Sequence, residues 1–176
     1  MNPKLQQYLK VFLITGVSFG ALMLLFDILN GEGLRFWSSI FRFVFFGLCM
    51  SLTFVTIQIA NLKKAGVQKI SSDDFKIIQK RVVQSDISKD ELISKLREDP
   101  SFKKMGLTEI GNQILLKSKT TFSSWGEEIL INISSGQNGM NEFDIISKPK
   151  IKTNIMDTGI NYLNVRNLEK LIMNLA

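Results

Sequence analysis

The sequence predicts an α-helical transmembrane hairpin followed by an α+β soluble domain. Two long, almost uncharged apolar runs lie close together, and after residue 62 the composition becomes that of an ordinary soluble domain. Later the apolar spacing changes from helix-like to alternating. We place the hairpin at residues 1–62 and the domain at 63–176. For the domain we expect two helices, a three- to four-stranded antiparallel sheet and a C-terminal helix packed on the sheet.

The first apolar run extends from Val11 to Leu29, and the second extends from Phe43 to Ala60. Each is about as long as the ~20 residues that a helix needs to cross a bilayer. A cleaved signal peptide is a poor alternative, because the first run is too long and a second follows at once. Residues 34–42 either form the outer end of the second helix or lie along the membrane surface, and the sequence leaves both open.

Positively charged residues near the ends of the runs predict the orientation. The N-terminus contributes Lys4 and Lys10, and the segment after the second run contributes Lys63, Lys64 and Lys69. The connecting turn has only two arginines. Because Lys and Arg are retained on the cytoplasmic side, we expect an inner-membrane protein of a bacterium with both termini in the cytoplasm.

Two polar residues near the turn, Asp27 and Arg42, have alternative interpretations. An acid inside a span can mark an ion path or a proton relay. Asp27, however, has no polar companions deeper in its span. We therefore favour a pairing with Arg42 or Arg35 across the hairpin.

Gly16 and Gly20 form a Gly-x-x-x-Gly pair in the first run. Small residues four positions apart let two helix backbones approach closely. The partner is either the second helix of the same chain or another protein chain, and the former is favoured.

The domain begins with two predicted helices. In the first, Phe75, Ile78 and Val82 share one face. The second has a Ser-x-x-Glu capping box at Ser88 and Glu91 and ends at Pro100. Phe102, Met105 and Leu107 are expected to cover the edge of the core.

Alternating residues predict three antiparallel strands, over 114–122, 129–133 and 143–147, with a possible short extra strand near 67–70. Gly136 to Gly139 is a hairpin signal. Asn161 or Asn164 is expected to cap a closing helix whose apolar face includes Val165, Leu168 and Ile172.

The C-terminal part of the chain is similar to one group of known domains. Phe143-Asp144-Ile145-Ile146-Ser147, followed by Asp157-Thr158-Gly159-Ile160-Asn161 and a terminal helix, resembles the ending of uncharacterised bacterial membrane-associated domains of unknown function. In those domains a strand with a serine leads to an Asp-x-Gly-x-Asn turn and a closing helix. The resemblance implies the fold and no chemistry. The turn also has a structural explanation, since acid and amide side chains bind backbone amides and glycine adopts a conformation closed to other residues.

The composition excludes several chemistries. The chain has one cysteine, Cys49, and no histidine. An internal disulfide, a Ser-His-Asp triad, a Cys-His pair and a histidine-ligated zinc site are therefore impossible. No phosphate-binding glycine loop is present. We expect no enzymatic activity, no metal and no cofactor.

Three functional hypotheses remain. The first is a membrane-anchored interaction module or accessory subunit of a membrane complex, with Gly16, Gly20 and the turn tryptophan Trp125 as candidate contacts. The second is a homo-oligomeric pore with Asp27, Arg42 and Gln58 facing its path. The third is a ligand or lipid sensor with a pocket between sheet and helix. Expected partners are the lipid bilayer and either other membrane subunits or further copies. The net charge of +6 is too mild and too dispersed to indicate nucleic-acid binding.

Overall fold

Two long helices form an antiparallel hairpin in the computed structural model, which describes residues 1–33, 35–120, 126–136, 139–151 and 157–174. They are α1 (Pro3–Leu29) and α2 (Phe36–Lys64). Asn2 caps α1 by accepting a hydrogen bond from the backbone N–H of Lys4. Each helix is long and apolar enough to cross a membrane, by length and composition.

The segment before the second apolar run belongs to α2. The helix begins at Phe36 and continues without interruption to Lys64. Residues 36–42 are therefore the first two turns of the long helix and not a separate segment.

The domain contains a five-stranded sheet, so the prediction of three or four strands is wrong. The strands are β1 (Gln79–Ser85), β2 (Gly106–Ile110), β3 (Gln113–Lys117), β4 (Glu127–Ser135) and β5 (Asn141–Pro149). Their order is β1-β5-β4-β3-β2, and all neighbours are antiparallel. Only β1 interrupts a simple meander, because it pairs with the last strand.

The prediction that the domain begins with a helix containing Phe75, Ile78 and Val82 is wrong. A short 3-10 turn at Asp73–Phe75 is followed directly by β1. Val82 is 58% exposed while its neighbour Val83 is 5% exposed, which is the alternation of a strand. The helical spacing of Phe75, Ile78 and Val82 is overridden by the pairing of β1 with β5, a contact between distant parts of the chain.

Two strand predictions also need correction, and one strand was not predicted. No strand forms at residues 67–70. The strand predicted over 114–122 ends at Lys117, and its last two predicted residues lie outside the described part. Leu107 packs against the core as expected, but it does so from β2, an unpredicted strand that joins β3 through a turn where Gly111 has a positive φ of 56°.

The remaining domain elements are as predicted. Helix α3 (Lys89–Glu98) is capped by Ser88, whose hydroxyl accepts the backbone N–H of Glu91, and it ends before Pro100. Strands β4 and β5 pair from Ser135 and Asn141 onward. Helix α4 (Ile160–Ile172) packs across the sheet. The core contains side chains from α3, α4 and one sheet face, among them Leu92, Leu96, Phe102, Ile114, Ile131, Phe143, Ile145 and Leu168.

Candidate functional site

The glycine pair lies at the contact between the two long helices. A Cβ atom on Gly16 would lie 2.9 Å from the ring and the carbonyl oxygen of Phe43, and one on Gly20 would lie 3.3 Å from the Cβ of Phe43. Gly47 of α2 has the same relation to Phe12, at 2.8 Å. The small residues therefore let α1 and α2 approach each other, and the favoured partner of the Gly-x-x-x-Gly pair is confirmed.

Asp27 and Arg42 form an ion pair near the turn of the hairpin. A guanidinium nitrogen of Arg42 donates to Asp27 Oδ2 at 2.7 Å, and Asp27 is only 5% exposed. Arg35 pairs instead with Glu32, at 3.3 Å on the exposed turn. The predicted pairing across the hairpin is thus confirmed, with Arg42 as the partner.

The opposite end of the hairpin has a second polar contact between α1 and α2. Gln7 Nε2 donates to Gln58 Oε1 at 3.2 Å, and both side chains are buried. Among the described residues, Gln58 Nε2 finds no hydrogen-bond partner. Beside this pair, the hydroxyls of Tyr8 and Thr56 are hydrogen-bonded at 3.0 Å.

The end of α2 packs directly against the turn that starts α4. Asn61 Nδ2 donates to the carbonyl oxygen of Thr158 at 2.8 Å. A Cβ on Gly159 would lie 3.1 Å from the Cβ of Asn61 and 3.3 Å from the carbonyl oxygen of Gln58, and Gly159 has a φ of +87°. Glycine is needed at this position both for its conformation and for the close approach of α2. We call this contact the junction.

A buried polar cluster lies behind the junction. The Ser147 hydroxyl donates to Asn161 Oδ1 at 2.7 Å and accepts from Asn164 Nδ2 at 3.4 Å. Asp157 Oδ2 accepts the backbone N–H of Asn161 at 3.2 Å. Asp157 therefore caps the start of α4, whereas the predicted caps Asn161 and Asn164 bind Ser147 of β5.

Burial raises the pKa of Asp157 from 3.8 to about 7. Hydrogen bonds from the backbone N–H groups of Asn161, Ile160 and Gly159 act in the opposite direction, and the nearby Glu127 carboxylate adds to the rise. At neutral pH this carboxyl group therefore exists in both protonation states.

The hydrogen bonds of this cluster are those of a structural site. Ser147 is bonded to two amide side chains, and a serine needs an adjacent base to act as a nucleophile. No group of three or more acidic or cysteine side chains capable of holding a metal occurs in the described part of the chain. The cluster holds the Asp157–Gly159 turn in place, and α2 packs against this turn.

Sequence reasoning found some of these residues and missed others. It singled out Asp157 and Gly159 as turn-forming residues, which the structure confirms. It did not find the contact of Asn61 with Thr158, although a polar residue one turn from the end of an apolar helix is a signal that could have been used. Trp125, the candidate partner contact, lies outside the described residues.

Comparison of the chain with known protein families, with curated proteins and with solved structures found no match. The resemblance of its C-terminal strand, turn and helix to uncharacterised membrane-associated domains therefore stays a prediction.

Proposed function

We propose that this chain is a non-enzymatic, membrane-anchored interaction module that serves as an accessory subunit of a membrane complex. Its hairpin crosses the inner membrane of a bacterium, with both termini and the α+β domain in the cytoplasm. The observation that carries this proposal is the apolar surface that the hairpin presents outward.

Large aliphatic and aromatic side chains are exposed along both long helices. In the most apolar 18-residue window of each helix, only 17% of the residues are buried. The exposed side chains include Leu13, Val17, Leu22, Phe26, Phe41, Phe45, Leu48 and Leu52. A core helix of a soluble domain hides such residues, whereas a membrane helix presents them to lipid or to other spans.

The lysines at the end of α2 support the orientation. Arg42 is paired with Asp27 and Arg35 with Glu32, while Lys63 and Lys64 form the last turn of α2. The lysines cluster at the opposite end of the hairpin from the turn. Positive residues at span ends favour the cytoplasmic side.

The sheet offers a surface for a partner. Helices α3 and α4 cover the face that carries Ile129 and Ile145, as the core cluster indicates. On the other face, Leu115, Leu130 and Ile146 align directly across three strands and remain partly exposed. We call these three residues the aliphatic row. A continuous apolar surface on a sheet is typical of a protein contact.

The other hypotheses have less support. Asp27 is paired with Arg42, and Gln58 accepts a hydrogen bond from Gln7, so each of the three proposed pore residues has a partner inside a single hairpin. The space proposed for a sensor pocket, between sheet and helices, contains closely packed apolar side chains such as Phe143 and Leu168.

Co-purification after mild detergent extraction tests the proposal. The native chain is expected to elute with other subunits at a size well above that of one chain in detergent. The variant Leu130→Lys places a charge in the aliphatic row and is expected to elute alone. The control Ile110→Lys adds the same charge at an exposed position in β2 and is expected to keep the complex. A native protein that elutes alone as a monomer contradicts the proposal.

A further inference from the structure

A groove lies between the start of α1 and the segment that leads into β1. It measures about 470 Å³, within the range of small-molecule sites. One wall is formed by the first two turns of α1, including Gln6 and Lys10, and the other by residues from Ser72 to Ile78. Of the lining residues, Gln7 also takes part in a hairpin contact, and none belongs to the junction or the aliphatic row.

The groove lies where the polar and apolar parts of α1 meet. Lys10 lines it, and the uncharged run begins at the next residue, Val11. If the hairpin crosses the bilayer, Lys10 is at the level of the lipid headgroups, where lysine side chains are favoured. In that case the groove lies at the membrane surface.

The lining has one charged and one apolar component. Its charged residues are Lys10 and Lys76, and none of its lining residues is an acid. Lys76 pairs with Asp73 outside the groove, but both side chains are largely exposed, and such pairs are easily exchanged. Lys10 forms no ion pair among the described residues. Ile77 and Ile78 supply aliphatic surface on the same wall as Lys76.

We propose that this groove binds an anionic phospholipid, with its phosphate held by Lys10 and Lys76 and the start of an acyl chain against Ile77 and Ile78. The inference rests on the proposed function, because a lipid reaches the groove only when the hairpin is in a bilayer. Two lysines in the lining, with acids only outside it, favour an anionic headgroup over a zwitterionic one. The aliphatic wall favours a lipid over a free phosphate.

Native mass spectrometry of the purified full chain in detergent tests this inference, with phosphatidylglycerol and phosphatidylcholine of equal chain length as probes. We expect one phosphatidylglycerol to bind about tenfold more tightly than phosphatidylcholine, given two lysines near the headgroup. The double variant K10Q/K76Q is expected to lose this preference. The control K103Q/K104Q removes the same charge from two exposed lysines after α3 and is expected to keep it. Equal thermal unfolding of the native chain and the two double variants shows that a lost lipid preference does not result from misfolding.

Three outcomes overturn the inference. The first is equal binding of the two lipids by the native chain. The second is equal loss in both double variants, which indicates a general charge effect. The third is displacement of the lipid by micromolar glycerol phosphate, which indicates a soluble phosphate ligand. A chain that inserts into membranes without lipid preference leaves the proposed function standing, whereas a chain that does not insert contradicts both.

Discussion

At the residue scale, the protonation of Asp157 links the fold to pH. Burial raises its pKa to about 7, so the folded state prefers the protonated carboxyl group more than the unfolded state does. The resulting stabilisation is complete below pH 3.8 and is lost as the pH rises from there to about 7. Each unit of difference in pKa corresponds to about 1.4 kcal/mol, so the loss amounts to a few kcal/mol at most.

The variant Asp157→Asn is expected to be more stable than the native chain at pH 8 and to have a flatter stability profile between pH 4 and 7. An asparagine keeps an oxygen for the backbone N–H of Asn161 and cannot ionise. Thermal unfolding of the full chain in detergent at a series of pH values measures this. Asp157→Ala, which removes the acceptor, should be less stable than Asp157→Asn at every pH. Lower stability of Asp157→Asn than of the native chain at pH 8 contradicts the prediction.

The polar residues of the hairpin differ in how well the sequence predicts their contacts. The sequence predicts that Asp27 pairs with Arg42 or Arg35, because a charge in an apolar run needs a partner and few charges are within reach, and the structure shows that the partner is Arg42. Asn61 was not matched with Thr158, since the two residues are 97 positions apart. The position of Thr158 depends on the whole domain, which local patterns do not specify.

At the scale of the elements, the packing of α1 on α2 depends on glycines. A methyl group on Gly16 meets the ring and the carbonyl oxygen of Phe43 at 2.9 Å, and the backbone oxygen cannot move aside without shifting the helix. The hairpin therefore has little tolerance for larger residues at this contact.

Gly16→Ala is expected to lower the thermal stability of the hairpin in detergent, by about 1–3 kcal/mol from overpacking. Circular dichroism at the helix band during heating provides the measurement. Ala21→Val, at an exposed position of the same helix, adds a larger group outside this contact and should change little. Unchanged stability of Gly16→Ala would show that the two helices are not held at this distance.

The elements found from sequence are those with local signals. The Ser88 cap and Pro100 define α3, and alternation with a glycine-rich turn defines β4 and β5. The sequence predicts a helix where β1 forms, because the partner strand, β5, is about 60 residues away in sequence and the apolar residues of β1 also fit a helical spacing. Strand β2 is short and mostly exposed, so it carries no clear alternation.

At the scale of the whole molecule, the junction connects hairpin and domain. Helix α2 extends from the turn to the domain, and its last turns contact Thr158 and Gly159 at the start of α4. Helix α4 in turn packs on β1 and β5. The domain is therefore attached to α2 by packing contacts as well as by the covalent connection of the chain. The two-part organisation followed from the composition of the sequence, but this contact required the fold.

The proposed function requires that the hairpin crosses the membrane with its turn outside and the domain in the cytoplasm. The single cysteine, Cys49, can be replaced by serine, and a cysteine then placed either at Gly31 of the turn or at Lys103 of the domain. Both positions are exposed. Labelling of spheroplasts with a membrane-impermeant maleimide is the most direct measurement. We expect G31C to be labelled in intact spheroplasts and K103C only after lysis. Labelling of K103C before lysis, protection of G31C, or recovery of the protein in the soluble fraction would contradict it.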